Sequence, residues 1–310
     1  MNSVHVPVLL NEVLLALNPK NGKTFLDATF GGGGHAIAIA QEGAKVVALD
    51  QDPIAVREGE RLLSQIACPA SPTQAQLDEG EPKSFSFPGG GTIVLINSPF
   101  SQLDDVLSTQ EIKSIDGALF DLGLSSDQLV SGRGFSFQEE NAPLDMRMDP
   151  QRRGVMAKDL LAAFSEKELA HIFVSYAQES QARPIAKAIV KERREKPLET
   201  SGDLVRIIES VKPKRKTDKI HPATQVFQAL RIAVNSELDE LLTALGKAWE
   251  FLKPGGVLAA ISFHSGEDRI VKQFAQRVTG KRSDPISASQ NEVVQNPRSR
   301  SAKMRVVTKL

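Results

Sequence analysis

Cysteine is almost absent from this chain, and so are two of the three large aromatics: there is one Cys, one Trp and one Tyr among 310 residues. The single thiol, Cys68, cannot close an internal disulfide, which points to a reducing compartment. Five scattered histidines and that thiol make no metal-ligand spacing, so no metal is expected. Long apolar runs are missing too. No stretch approaches the roughly 18 residues of a membrane helix, and the first ten residues lack a basic segment followed by an apolar one. A cytoplasmic location with no membrane partner is the expectation. Excess charge is also lacking, with 38 basic against 38 acidic residues. By itself that speaks against a nucleic-acid binder, since such domains are usually basic overall.

What is present fits a large globular chain, because 41% apolar residues suffice for a buried core with room for an insertion. Strands are expected at about 24–29, 46–50, 92–97, 117–121 and 257–263, after a short amphipathic helix at 8–17, and this alternation indicates an α/β sheet. Cys68 to Gly91, rich in Pro, Ser, Gln and Gly, reads as a flexible surface excursion. After Asp121 the strand rhythm stops. Ala157–Tyr176, Gln181–Glu195 and Ser201–Val211 have helical spacing, and Thr224–Trp249 reads as one long amphipathic helix leading back to the sheet.

Phe30 to His35 reads F-G-G-G-G-H directly after the first strand, and the next apolar run stops at Asp50. Glycines permit φ > 0 and leave no Cβ between main chain and ligand, while an acid closing the second strand can accept from both ribose hydroxyls. This outlines a nucleoside-cofactor site. Gly31, Gly33 and Ala36 also fit the G-x-G-x-x-A dinucleotide variant, or the loop is only a tight turn. The helix, Pro-Gly-Gly and buried-strand run at Leu252–Phe263 tips the reading toward S-adenosyl-L-methionine. Asn97-Ser98-Pro99-Phe100 lies one residue from a motif with which amino-methyltransferases grip a flipped base, but it follows the third strand, and the acid of the catalytic slot ends the fourth. Two basic stretches form a phosphate footprint or a solvated face: Lys212 to Lys219, and a tail holding Arg298, Arg300, Lys303 and Arg305. The tail has a rival reading as a last sheet strand.

Together His5-Val6-Pro7-Val8-Leu9, the glycine loop, Ala48 to Pro53, Asp121 to Ser126, Arg133 to Ser136, Pro143 to Met148, Thr224 to Leu238, Ser262 to Ser265 and Asn296 to Lys303 resemble the bacterial 16S rRNA (cytosine 1402-N4)-methyltransferases over nearly the whole chain. The resemblance implies a Rossmann-like class I methyltransferase sheet from 1–128 and 222–310, with a helical substrate-recognition domain inserted at 129–221. It implies S-adenosyl-L-methionine as cofactor, and 16S ribosomal RNA of the small ribosomal subunit as partner. By analogy Gly33, Gly34 and His35 line the methionine end of the cofactor, Asp50 holds the ribose, Phe100 lies near the adenine, and Asp121 and Gln128 complete the pocket. Without the resemblance, His35 is as well a helix cap and Phe100 a core residue. Cytosine N4 is a poor nucleophile, so the site should accept hydrogen bonds from its N–H groups where positive charge grows. Asp121 is the best-placed carboxylate, followed by the hydroxyls of Ser125 and Ser126; a cofactor contact or a loop cap is the rival role for Asp121. Asp145, Arg147, His264, Arg298 and Arg300 are expected on the RNA side, although Asp145 and Arg147 could simply brace their loop. The chain departs from the pattern at Asp127, Gly266 and Ala177-Gln178-Glu179. A nicotinamide oxidoreductase and a non-catalytic RNA-binding assembly factor are the competing functions.

Overall fold

Val46, Val47, Ala48 and Leu49 form an uninterrupted apolar run, which suits only a strand covered on both faces, and all four are fully buried. The computed structural model describes residues 7–68, 83–215, 217 and 220–310. Two compact units emerge, Met1–Gly123 with Leu238–Leu310, and Leu124–Glu237.

The first unit starts with α1 (Leu10–Leu17), β1 (Thr24–Asp27), α2 (Gly34–Gln41), β2 (Lys45–Asp50), α3 (Pro53–Ile66), β3 (Lys83–Ser86), β4 (Thr92–Asn97), α4 (Leu103–Thr109) and β5 (Ile115–Asp121). The second unit holds α5 (Ser126–Leu129), α6 (Ala157–Ala163), α7 (Glu166–Ala177), α8 (Ala182–Glu192), α9 (Ser201–Val211) and α10 (Thr224–Asn235). The chain returns to the first unit through α11 (Glu237–Phe251), followed by β6 (Leu252–Ser262), α12 (Ser265–Arg277), β7 (Gly280–Arg282), β8 (Ile286–Ser287), α13 (Gln290–Gln295) and β9 (Lys303–Lys309).

The strands join in one sheet of order β3-β4-β2-β1-β5-β6-β9-β7, with β8 on β9. β4, β2, β1, β5 and β6 are parallel. From β1 the chain winds first toward β2 and β4, then jumps back to β5 and β6. The order therefore reverses between β1 and β5, and ligands of open α/β sheets bind outside the carboxyl ends of the strands at such a point. Asp27, Asp50, Asn97, Asp121 and Ser262 are the residues that end these five strands. One core cluster, with Phe25, Ile39, Val46 and Ile93, and another, with Leu26, Leu49, Phe120 and Leu258, hold the layers together.

The structure redraws several sequence boundaries. The excursion after Cys68 ends earlier than expected, because Lys83–Ser86 is an antiparallel edge strand on β4 whose Phe85 is buried, as is Phe87 just after it; residues 69–82 lie outside the described ones. The helix expected over Ala157–Tyr176 is two, interrupted where Ser165 and Glu168 form a capping box at the start of α7. The helix expected over Thr224–Trp249 is likewise two, because Ser236 adopts φ 53 and stops α10. Thr224–Asn235 thus belongs to the second unit and not to the sheet-bearing one. There Asn235 is completely buried: it donates from Nδ2 to Met146 O at 2.8 Å and accepts from Met148 N at 2.9 Å, tying the 143–148 loop to α10. The tail is sheet as well as charge, since β9 pairs antiparallel with β6 and β7.

Candidate active site

Phe30 to Gly34 turns the chain from the end of β1 into α2, and Gly31 (φ 51) and Gly33 (φ 78) take the left-handed backbone that this turn requires. The space beside two of the glycines is used differently from the expectation. A Cβ on Gly33 would meet the Phe30 ring at 2.6 Å, and one on Gly34 would run into the Pro7 ring, so close packing within the protein fills those positions. Gly31 N donates to Asp50 Oδ2 at 2.9 Å, and Asp52 N donates to Asp50 Oδ1 at 2.8 Å. Asp50 is thereby fixed at the loop, and it is 9% exposed. Asn97, at the neighbouring strand end, donates from Nδ2 to Asp50 O at 2.9 Å, so the resembling Asn-Ser-Pro-Phe stretch shores up this corner.

His35, the second residue of α2, is buried. Its Nε2 lies 3.0 Å from Val8 O and, with a carbonyl as partner, carries the proton. Its Nδ1 faces Asp121 Oδ2 at 3.6 Å. His35 therefore does not cap α2; its ring bridges the amino-terminal segment and the end of β5.

Asp121 receives no hydrogen bond on Oδ1 among the described residues, although that oxygen is buried. Burial, reinforced by the charge of Asp27, pushes its carboxyl up to about 8, and Arg298 opposes the rise. Asp27 was missed by the sequence reading, although an acid ending the strand before a glycine loop is a readable signal. It is 1% exposed. Its Oδ1 accepts from Thr29 N at 3.1 Å while its buried Oδ2 has no hydrogen-bond partner among the described residues. Burial pushes it up to about 7, Thr29 N–H works against this, and Asp50 adds to it. Asp121 N in turn donates to Thr29 Oγ1 at 2.7 Å, so one threonine spaces the two acids across the reversal point. Two buried carboxylates with unsatisfied oxygens are costly unless something cationic arrives.

Other expected residues of this unit surround that centre. Phe100 is half-buried, its ring edge-on to Phe120 at 6.1 Å, which matches the core reading and leaves it only partly covered. His264 is the N-cap of α12: Nδ1 accepts from Gly266 N at 3.2 Å, while Glu267 Oε2 accepts from Phe263 N at 2.8 Å. The unusual Gly266 is therefore compatible with an ordered helix start. Glu267 Oε1 lies 3.1 Å from His264 Nε2, and the Glu267 charge is felt at Asp121. Arg298 and Arg300 lie on a 3-10 turn at Pro297–Ser301, Arg300 exposed. Lys303 and Arg305 are drawn away to Asp268, at 3.3 and 2.7 Å.

In the second unit, Ser125 Oγ accepts from Gln128 N at 3.2 Å and Gln128 Oε1 accepts from Ser125 N at 3.0 Å, a capping box at the start of α5, where Ser126 is the first residue. The Ser125 hydroxyl and the Gln128 amide thus serve the local turn. Arg147 grips Asp145 in a fork, Nε to Oδ1 at 2.6 Å and Nη2 to Oδ2 at 2.9 Å, and donates from Nη1 to Arg153 O. The pair is tied within its loop, and it is joined by Arg133, which donates to Met148 O at 3.1 Å.

A parallel sheet reversing between β1 and β5, with a glycine turn and carboxylates gathered at that reversal, defines a Rossmann-like methyltransferase. More narrowly, the MraW methylase family model matches residues 2–310, and the chain belongs to that family. Its cofactor is S-adenosyl-L-methionine. The chain is 44% identical to the ribosomal RNA small subunit methyltransferase H of Sinorhizobium medicae and 45% identical to that of Rhizobium etli, in each case over 97% of this chain and 86% of the relative. Among solved structures, an rRNA methylase from Streptococcus thermophilus aligns over 99% of this chain and 98% of its own, at 14% identity and a TM-score of 0.42, too distant to bear on the site.

Proposed function

We propose that the protein transfers a methyl group from S-adenosyl-L-methionine to N4 of a cytosine in small-subunit ribosomal RNA, cytosine 1402 of the 16S chain. The observation that carries this reading is the pair of buried, incompletely satisfied carboxylates Asp27 and Asp121 at the reversal of the sheet. Their free oxygens suit a cationic ligand and an amine donor better than an anionic or apolar one. The cofactor, when bound, supplies an electrophilic methyl on a positively charged sulfur. Asp50, the acid that ends β2, would accept from the ribose, and the amino-terminal end of α2, with its partial positive charge, suits the methionine carboxylate. Asp27, when ionised, would supply negative charge that balances the cofactor's cationic sulfur.

Asp121 then faces the incoming base. Its Oδ1 would accept an N–H of the cytosine amine and so stabilise the charge that develops on nitrogen as the N–C bond forms and the methyl carbon–sulfur bond breaks, with S-adenosyl-L-homocysteine as the leaving group. Its raised pKa makes it a stronger acceptor than an ordinary carboxylate and a fitting recipient of the proton that N4 releases. His35 acts as a positioning residue through its contact with Asp121. Ser125 and Gln128 are assigned to shaping the loop at the start of α5. Recognition of the base requires it unstacked, because A-form RNA hides its edges. The 44–45% identity to ribosomal RNA small subunit methyltransferases supports the RNA class of the substrate. A nicotinamide oxidoreductase is not favoured by membership in a methylase family.

The test is single-turnover transfer of labelled methyl to small ribosomal subunits that lack the modification, with cofactor saturating. Asp121→Asn should slow transfer at least about tenfold, about 1.4 kcal/mol of barrier, with cofactor affinity changed far less. The parent rate should rise with pH, because only the ionised carboxylate can take up the proton that N4 releases, and its inflection should disappear in Asp121→Asn. A variant that transfers at the parent rate removes Asp121 from the chemistry.

A further inference from the structure

The first basic stretch of the sequence, from Lys212 onward, takes no part in the site above. In the second unit Glu179 connects it to α8. The buried Glu179 carboxylate accepts from Gln181 N at 2.8 Å, just before α8, and holds Lys212 Nζ at 2.9 Å, just after α9. At the opposite ends of the same two helices, Lys196 meets Asp203 at 3.3 Å. α8 and α9 therefore run antiparallel, and the exposed Lys214 emerges beside the first turn of α8.

From that turn Arg183, Lys187 and Lys191 follow at intervals of four residues. At 3.6 residues per turn they occupy one sector of roughly 80°, and with Arg194 in the turn beyond they span roughly 16 Å of helix length. All four are exposed, whereas Ala182, Ile185, Ala186 and Ile189 pack inward. None of the four has a carboxylate partner among the described residues; Glu192 and Glu195 adjoin the row only at its far end. Arg193 behaves differently, turning inward to donate from Nη1 to Phe164 O at 2.6 Å. Like charges four residues apart on a helix repel one another. A polyanion laid along such a row would relieve that repulsion and pair with all of its charges at once.

We propose that this face of α8, extended by Lys214, docks the phosphate backbone of the RNA substrate, holding it by charge and shape without reading bases. The inference rests on the ribosomal RNA reading given above, and it concerns the second unit taken by itself.

The deciding experiment compares the full-length protein with an Arg183→Gln, Lys187→Gln, Lys191→Gln variant, which keeps long polar side chains on an exposed face. Binding to unmodified small ribosomal subunits is titrated at several salt concentrations, and methyl transfer and cofactor affinity are measured alongside. The slope of log affinity against log salt should become shallower by about two units, at about 0.7 for each lost contact to a single strand. Cofactor affinity should stay as in the parent, which also reports a folded variant. If the parent binds and methylates the subunit and the variant binds with the same slope, α8 is not the docking face and the methyltransferase reading stands. If the parent neither binds nor methylates the subunit, the RNA reading itself fails and takes this inference with it.

Discussion

Asp27 and Asp121 each depart from ordinary carboxylate behaviour for the same reason, burial without full satisfaction. Their raised pKa values, about 7 and about 8, have a consequence for stability. A carboxyl whose folded pKa lies above its unfolded one binds its proton more tightly when folded. Its contribution is fully present below about pH 4 and is lost as pH rises through the folded value. The cofactor-free protein should therefore lose stability from pH 5 to pH 8 with a slope of up to about 1.4 kcal/mol per pH unit for each such group. Asp27→Asn should flatten that decline in thermal denaturation series, and an unchanged profile would mean that Asp27 is already ionised. Asp50 offers a second check. Asp50→Ala removes a ribose acceptor and also the anchor of Gly31 N and Asp52 N, so cofactor affinity should fall by roughly 2–4 kcal/mol by calorimetry. The place of Asp50 at a strand end after a glycine loop was legible from the sequence, whereas its bonds from Gly31 N and Asp52 N were not. Asp27 also ends a strand before that loop, but its burial and its unsatisfied Oδ2 depend on packing that no local pattern encodes.

At the scale of elements, periodicity identified the parallel strands to within a few residues, because strands buried on both faces read as unbroken apolar runs. Where the sequence reading failed, local capping had overridden the period. Ser165 and Ser236 are each one polar residue within an otherwise continuous helical pattern, one capping α7 and the other turning left-handed after α10. Ser165→Ala should destabilise the protein by about 1 kcal/mol in denaturant titrations, the usual cost of a lost N-cap. In β3, only four residues long, alternation is too brief to stand out from the Pro- and Ser-rich segment around it. The tail reconciles its two readings by division of labour. Lys303 and Arg305 belong to β9 and neutralise Asp268, so Arg305→Ala should lower the melting temperature, with a cost of roughly 1–3 kcal/mol for a partly buried, forked pair. Arg298 and Arg300 precede the strand. Changing both to Ala should weaken binding to small subunits and reduce its salt slope by about one to two units, leaving cofactor affinity in place; an unchanged slope with a lowered melting temperature would make this pair structural as well.

For the molecule as a whole, a neutral net charge hides an uneven distribution: acids gather at the reversal of the sheet, where a cationic cofactor is expected, and cations line α8 and the 3-10 turn before β9. No described helix is long and apolar enough to cross a membrane. The fold class and the glycine turn after β1 could be read from the chain because both depend on short, contiguous signals. The Ser125–Gln128 capping box, the Asp145–Arg147 fork and the antiparallel setting of α8 and α9 could not, since each depends on which partner a side chain finds after folding. The most direct measurement of the central claim is to incubate the protein with isotopically labelled S-adenosyl-L-methionine and small ribosomal subunits lacking the modification, then digest the RNA and locate the label by mass spectrometry. The account predicts one labelled methyl group, on N4 of cytosine 1402, and its loss with Asp121→Asn. Label on another atom or another nucleotide, or none from a protein that binds both cofactor and subunit, would contradict it.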